Sequence, residues 1–153
     1  MSKIDLLAFL RTLRGERQPT CLIHGQPLSG KSQFAQELAE QTGWSYLDVL
    51  GTLGSQPERA ARIDQFQLDD LRDLILATVE ADVLLIDDLD FLFPIWVNDV
   101  HPFQEFVRTL KHRNRQVAFC FFAHTRRDFE EWTLWTASRA SRVLRFDDIR
   151  SLI

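Results

Sequence analysis

The sequence predicts a three-layer α/β/α sandwich around a mainly parallel, five-stranded sheet. Three observations favour this α/β fold. The strand-like run 20–24 leads through a glycine-containing turn into a helix-like stretch at 33–43. The run 83–86 is continuously apolar and is followed by two aspartates, and most of the run 116–123 is also apolar. Continuous apolar strands that alternate with helices are typical of parallel sheets buried on both faces.

The chain has 153 residues, of which 45% are hydrophobic, so we expect a single domain, 1–153, with one proper core. It contains no run of about 18 apolar residues and does not open with a signal-peptide pattern. We therefore expect a soluble, cytoplasmic protein with no membrane partner. Cys21 and Cys120 lie in apolar runs and are predicted to be free core residues. The four histidines lack metal-site spacing.

The most specific motif is Gly25-Gln26-Pro27-Leu28-Ser29-Gly30-Lys31-Ser32, which fits the pattern G-x-x-x-x-G-K-S of a phosphate-binding loop. A predicted strand precedes it and a predicted helix follows it, and this context directs backbone N–H groups towards a phosphate. Lys31 is predicted to reach the β- and γ-phosphates, and Ser32 to hold Mg²⁺. The predicted nucleotide-binding residues are Gly25, Gln26, Pro27, Leu28, Ser29, Gly30, Lys31, Ser32 and Gln33.

Two predicted elements flank this unit in the first half of the chain. Residues 2–14 have the apolar stripe of an amphipathic helix, with an approximate capping box formed by Ser2 and Asp5. We interpret this helix as packing on the sheet; the alternative is that its end, with residues 15–19, forms a wall for the nucleotide base. Residues 44–49 are predicted to form a second strand.

The central part of the chain carries the second strong signal. Residues 50–64 are predicted to be a loop with a short helical turn, and residues 68–79 a helix. The strand that follows ends in Asp87 and Asp88, at the sheet edge where ligands of parallel α/β proteins bind. Asp87 is the predicted Mg²⁺ ligand, and Asp88 is predicted to orient the attacking water.

Three further stretches precede the last strand. The apolar cluster 89–100 is either a core lid or a partner surface, and residues 101–112 are predicted to form a helix. The strand 116–123 ends in His124 and Thr125, which are predicted to contact the attacking water or the γ-phosphate. Residues 128–137 are predicted to form a helix and residues 142–146 a short final strand.

These residues resemble the AAA+ and STAND-like P-loop ATPases. The resemblance is carried by GQPLSGKS at 25–32, VLLIDD at 83–88, the strand that ends in His124-Thr125, and SRASRVLRF at 138–146. It implies ATP as the nucleotide, an extra strand between the loop strand and the aspartate strand, and an arginine supplied to the next subunit. Arg139 is the first candidate for this arginine, and Arg142 the second.

Two features depart from the usual AAA+ pattern. Asp87-Asp88 stands where AAA+ proteins have Asp-Glu, whereas STAND proteins often have two aspartates. The chain ends seven residues after Phe146, so we expect no C-terminal helical lid. This short layout is similar to that of the small P-loop proteins of type 3 BREX phage-defence systems, and it implies protein partners in a defence complex.

The sequence therefore predicts an ATP-binding ATPase whose slow, Mg²⁺-dependent hydrolysis controls assembly or partner binding. The alternatives are a nucleotide-gated scaffold or loader with little hydrolysis, and a small-molecule kinase. Residues 1–107 hold 8 Lys/Arg against 17 Asp/Glu, and residues 108–145 hold 9 against 3. This asymmetry favours a nucleotide-dependent homo-oligomer with head-to-tail contacts. The basic stretch 108–115 has two other interpretations. It either binds the phosphate backbone of a nucleic acid or is an ordinary solvated helix end.

Overall fold

A computed structural model describes residues 3–96 and 99–152, and its centre is a five-stranded sheet in which all pairs are parallel. The order across the sheet is β2-β3-β4-β1-β5. The strands are β1 (Thr20–Gly25), β2 (Ser45–Asp48), β3 (Val83–Asp87), β4 (Ala118–His124) and β5 (Val143–Arg145). The predicted three-layer α/β/α class is thus confirmed, and β4 occupies the position between the loop strand β1 and the aspartate strand β3.

Seven α-helices among the described residues connect and cover these strands. They are α1 (Leu6–Leu13), α2 (Lys31–Thr42), α3 (Val49–Gly54), α4 (Pro57–Ala61), α5 (Leu68–Thr78), α6 (Leu92–Ile95) and α7 (His101–Thr109). No helix in the two described ranges is long and apolar enough to cross a membrane.

The two faces of the sheet carry separate apolar cores. Side chains of α1 and α2 pack with alternate residues of the central strands, including Leu85 of β3 and both cysteines, which are buried and free as predicted. The opposite face packs against α3, α5 and α7 and is rich in aromatic rings around Phe103. Because strand side chains alternate between faces, each buried strand residue has a defined helix layer opposite it.

Several local predictions need correction. Helix α1 is shorter than 2–14, and Asp5 caps it by accepting from the backbone N–H of Ala8; Ser2 lies outside the described residues. Residues 50–64 form α3, α4 and a 3₁₀ turn instead of a loop, since the Asp48 side chain caps α3 and Pro57 opens α4.

The predicted helix 128–137 is wrong. A 3₁₀ turn spans Arg127–Glu131, and the chain then runs extended into a tight hairpin. Trp132 and Leu134 point into the aromatic core while their neighbours stay exposed, which is the alternation of an extended segment and not a helical stripe.

The described part of the cluster 89–100 belongs to the core. Leu92 and Phe93 of α6 are fully buried, and the indole N–H of Trp96 donates to the Phe66 carbonyl at 2.8 Å. The core alternative is therefore the one that these residues support; Val97 and Asn98 lie outside the described ranges.

Candidate functional site

One cavity of about 400 Å³ lies at the carboxyl edge of the parallel sheet. It brings together the glycine loop, the start of α2, the end of β3 and the end of β4. Its lining residues are Leu28, Gly30, Lys31, Ser32, Gln33, Asp87, Asp88, Asp90 and His124. Most of the predicted loop, acidic and β4 residues therefore meet in one place, although they are up to about 95 positions apart in sequence.

The loop between β1 and α2 has a compact backbone. Gly30 has φ of 95° and directly precedes the first residue of α2, and Leu28 has φ of 63° at a fully exposed apex. The Ser29 N–H donates to the Gln26 carbonyl at 3.3 Å and closes the turn. A Cβ at Gly25 would lie 2.9 Å from the Cβ of Phe146, so the chain has room only for glycine there.

Lys31 is more buried than its predicted role suggested, with a side chain only 5% exposed. Its Nζ donates to the carbonyls of Gly25 at 3.1 Å and Gln26 at 2.7 Å, and lies 3.4 Å from the Ser29 hydroxyl. Burial lowers the pKa of Lys31, and the nearby Asp90 and Asp87 oppose that shift. The ammonium group is therefore held inside the loop by neutral oxygens.

Asp87 ends β3 and is almost fully buried. Leu85, two residues earlier, packs on the α2 side of the sheet, so Asp87 faces the same side as the start of α2. The hydroxyl of Tyr46, on the neighbouring edge strand β2, donates to Asp87 Oδ2 at 2.8 Å.

Asp88 follows in a left-handed conformation, with φ of 57°. Burial, followed by repulsion from Asp87 and interactions with Asp48 and Asp90, raises the pKa of Asp88 to about 7. Burial penalises the charged form and the neighbouring carboxylates add repulsion, so the protonated form of Asp88 is favoured more than in a free aspartate.

His124 and Thr125 occupy different environments. The backbone N–H of His124 donates to Asp90 Oδ1 at 2.8 Å, and its ring Nε2 lies 3.9 Å from Asp90 Oδ2. Thr125 turns away from the cavity lining: its hydroxyl lies 3.0 Å from Nδ1 of the buried His24. Burial is the main cause that lowers the pKa of His24, so this ring is a neutral partner for Thr125.

The site has the groups that a nucleotide phosphate and Mg²⁺ require. The first backbone N–H groups of α2 lie beside the cavity, and Gly30 caps the helix without a side-chain hydrogen bond. Ser32 and Asp87 offer a hydroxyl and a carboxylate, which are the hard oxygen ligands that Mg²⁺ prefers. Within residues 3–96 and 99–152 there is no cluster of three or more His, Cys, Asp or Glu suited to a metal.

A second cavity, of about 620 Å³, shares Gly30 and Gln33 with the first. Phe34, Phe146, Ile149 and the stretch 150–152 complete much of its lining, and the rings of Phe34 and Phe146 meet edge to face at 5.5 Å. Ile4, which lies before α1, forms a parallel β-bridge with Ile149 and holds this wall in place.

Residues 15–19 cannot form the wall that the alternative interpretation gave them. They precede β1, whose six residues separate them from the loop by about 20 Å. The wall of the cavity beside the loop is formed in part by residues 146–152 instead.

The two candidate arginines lie at the opposite, amino edge of the sheet. Arg139 is exposed at the tip of the hairpin before β5, with φ of 67°. Arg142 is 1% exposed, and its guanidinium donates to the carbonyls of Gln18, Thr20 and Trp135 and to two side-chain oxygens. Arg142 is therefore a buried structural residue, and its proposed contact with a neighbouring subunit is corrected because every donor group points into its own chain.

Half of the basic stretch 108–115 is neutralised locally. Arg108 pairs with Glu105 at 2.7 Å, and Arg115 lies 3.8 Å from Asp82. Lys111 and Arg113 are exposed. This arrangement weakens the case for a polyanion site, since exposed pairs leave less net positive charge on the surface.

Four residues near the site were missed by the sequence analysis: His24, Tyr46, Asp48 and Asp90. Asp48 and Tyr46 belong to β2, whose carboxyl end meets the same edge as β3, so the edge rule for parallel sheets could have found them. Asp90 could have been found in the same way, because it lies two residues after Asp88, just beyond the carboxyl end of β3. Comparison with protein-family models gives no match, and comparison with curated protein sequences gives no significant match.

Proposed function

We propose that this protein binds ATP and hydrolyses it slowly with Mg²⁺, and that the bound nucleotide controls assembly or partner binding. The observation that carries the proposal is the meeting of the Lys31 loop with Asp87 and Asp88 around one cavity. A helix N-terminus and a lysine on one side, with carboxylates on the other, form a site for a phosphate chain and its counter-ion.

The roles of the binding residues follow from their positions. Backbone N–H groups of 30–33 donate to the phosphates, and Lys31 exchanges its carbonyl partners for phosphate oxygens. Ser32 and Asp87 hold Mg²⁺, which neutralises the charge on the β- and γ-phosphates. The aromatic cavity beside Gln33 takes the nucleoside, since it is continuous with the loop and has apolar walls.

Asp88 orients the attacking water and accepts its proton when ionised. Its raised pKa leaves only part of the population in the competent form at neutral pH, which is one physical reason to expect slow turnover. The exposed ring of His124, near Asp90, contacts the attacking water or the γ-phosphate. Thr125 takes no direct part, because its hydroxyl is bonded to His24 away from the cavity.

Membership of the AAA+ or STAND-like ATPases, in a short form like that of type 3 BREX phage-defence systems, is the family that we propose. It rests on the motifs and on the sheet order, in which β4 separates β1 from β3. A cytoplasmic homo-oligomer follows from this proposal, with Arg139 of one copy reaching the nucleotide of the next and with defence proteins as partners.

A nucleotide-gated scaffold that barely hydrolyses ATP is the second candidate. The specific observation in its favour is the pair Asp87-Asp88. The side chain of Asp88 is shorter than the glutamate that AAA+ proteins have at this position, and its pKa is raised. A kinase is a weaker candidate, because no acceptor site is apparent among the residues lining the loop cavity.

The test separates binding from turnover. Lys31→Ala should abolish the thermal stabilisation that ATP and Mg²⁺ give the wild type, which is about 2.7 kcal/mol at a ligand concentration 100 times Kd. Lys111→Ala removes an exposed lysine from the basic stretch and should keep the full shift. Equal shifts in wild type and Lys31→Ala would overturn the nucleotide site.

Asp88→Asn then distinguishes the enzyme from the scaffold. If Asp88 acts on the water, this variant should keep ATP affinity within about twofold and lose about 10²-fold or more in phosphate release. Matching phosphate release by wild type and Asp88→Asn would support the scaffold.

A further inference from the structure

Tyr46 links the edge strand to the acidic end of β3. In the β2–β3 register Tyr46 pairs with Leu85 and Asp48 pairs with Asp87. The Tyr46 side chain reaches along β3 beyond its own partner, and its hydroxyl lies 2.8 Å from Asp87 Oδ2. Tyr46 is also the single tyrosine of the chain. Its bond is therefore a specific contact with the proposed Mg²⁺ ligand, made from a neighbouring strand.

The direction of this hydrogen bond is defined on both sides. Gln36 of α2 donates its side-chain N–H to the Tyr46 oxygen at 3.4 Å, which leaves the phenolic proton for the carboxylate. Two successive hydrogen bonds, from Gln36 to Tyr46 and from Tyr46 to Asp87, thus connect α2 to the carboxylate.

A carboxylate that is held at one oxygen presents the other in a fixed direction. The phenol bonds Oδ2 of Asp87, so Oδ1 is the oxygen that a cation would bind. A partner that orients a metal ligand raises the affinity of the site for the metal.

We propose that Tyr46 is a positioning residue that orients the Asp87 carboxylate for Mg²⁺ bound with the nucleotide. The inference rests on the proposed function, because it assigns Asp87 to that ion. It adds an element of the site that lies outside the loop and the aspartate pair, on the edge strand of the sheet.

The experiment measures the binding of a fluorescent ATP analogue as Mg²⁺ is titrated. Tyr46→Phe keeps the ring and removes the hydroxyl. It should leave metal-free nucleotide affinity within about twofold of wild type and raise the Mg²⁺ concentration at half-saturation about tenfold. Trp44→Phe is the matched control. It changes the packing of an aromatic side chain two residues before Tyr46 and removes no bond to Asp87. It should leave the Mg²⁺ half-point unchanged.

A Tyr46→Phe protein with a lower melting temperature but an unchanged Mg²⁺ half-point would show that the bond is only structural, and would overturn the inference. That result leaves the proposed function intact, since wild type would still bind the analogue with Mg²⁺. If wild type itself shows no Mg²⁺-dependent binding, the proposed function fails and the inference fails with it.

A second measurement uses the wild-type side chain. Protein labelled with ¹³C at the tyrosine Cζ gives one signal, because the chain has one tyrosine. Mg²⁺ added to the ADP-bound protein should shift this signal, and Asp87→Asn should abolish the Mg²⁺-dependent part of the shift. An unmoved Tyr46 signal in wild-type protein that binds MgADP would contradict the inference even if Tyr46→Phe cannot be purified.

Discussion

The two edges of the sheet treat their charged groups in opposite ways. At the amino edge, Arg142 is buried and every polar group of its guanidinium donates to an oxygen of the same chain. At the carboxyl edge, Asp87 and Asp88 lie beside Asp90 and Asp48, and burial, with repulsion from the neighbouring carboxylates added to it, raises the pKa of Asp88 to about 7. One edge satisfies a charge, and the other edge concentrates like charges.

This difference separates a structural charge from a candidate functional one. Each guanidinium nitrogen of a buried arginine such as Arg142 donates to an oxygen of its own chain, so removal of the side chain costs stability because those oxygens lose their donor. Carboxylates kept together without enough cations cost stability, and such clusters are found where a ligand supplies the missing charge. The contrast can be tested by removing groups at each edge and comparing the signs of the stability changes.

The largest effect is expected at the amino edge. Arg142→Ala should lower the free energy of unfolding by about 3 kcal/mol or more, because it opens a cavity and leaves the Gln18 and Thr20 carbonyls without their donor. Urea denaturation followed by circular dichroism measures this loss. Arg145→Ala is the control, since Arg145 is exposed and its pair with Glu130 is on the surface. A loss for Arg142→Ala no larger than for Arg145→Ala would contradict the structural role.

A smaller effect of the opposite sign is expected at the carboxyl edge. The folded-state pKa of Asp88, about 7, is above its ordinary value of 3.8, so the native state holds a proton that the unfolded chain releases between these values. The contribution of Asp88 to stability is therefore fully present below pH 3.8 and is lost as pH rises through 7.

Asp88→Asn removes that pH-dependent loss. The variant should match wild type near pH 4 and be more stable by about 1 kcal/mol at pH 8, a value discounted because solvent screens this partly exposed group. Melting temperatures of both proteins across pH 4–8 measure the difference. A stability difference that stays constant over this range would show that Asp88 titrates normally.

The parts of the molecule that follow from local sequence patterns were predicted well. The glycine loop, the apolar strands and the carboxylates at the end of β3 are each set by neighbouring residues, and the sheet order then places them together. The helix predicted at 128–137 failed because Phe129, Trp132 and Leu134 supply enough apolar residues for either period. All three side chains pack into the aromatic core, and an extended chain is the conformation that allows this packing.

The contacts between distant side chains could not be predicted in the same way. Arg142 was an exposed candidate in the sequence because nothing near it indicates burial, yet its acceptors at Gln18 and Thr20 are over 120 positions away. The Tyr46–Asp87 bond likewise depends on the register of β2 and β3, which neither strand determines alone. Whether a charged group at either edge is buried and paired therefore depends on contacts between distant segments, and residue type alone does not predict it.

Arg139 provides the smallest expected change in stability. It lies on the amino edge, like Arg142, but it is exposed at the tip of a hairpin that Thr136 and Ala140 close with a 2.8 Å backbone bond. Arg139→Ala should change the free energy of unfolding by less than about 0.5 kcal/mol. Arginine and alanine have the same strain in the left-handed conformation at this position, and the arginine side chain fills no core space.

If Arg139 serves the nucleotide of a neighbouring copy, this nearly neutral variant should still lose ATP turnover, and sedimentation should show larger species with ATP and Mg²⁺ than without. Mixing Arg139→Ala with Lys31→Ala should then restore part of the activity, since each copy supplies the group that the other lacks. A protein that hydrolyses ATP as a strict monomer, with Arg139→Ala as active as wild type, would show that an exposed arginine at this edge is only a surface residue.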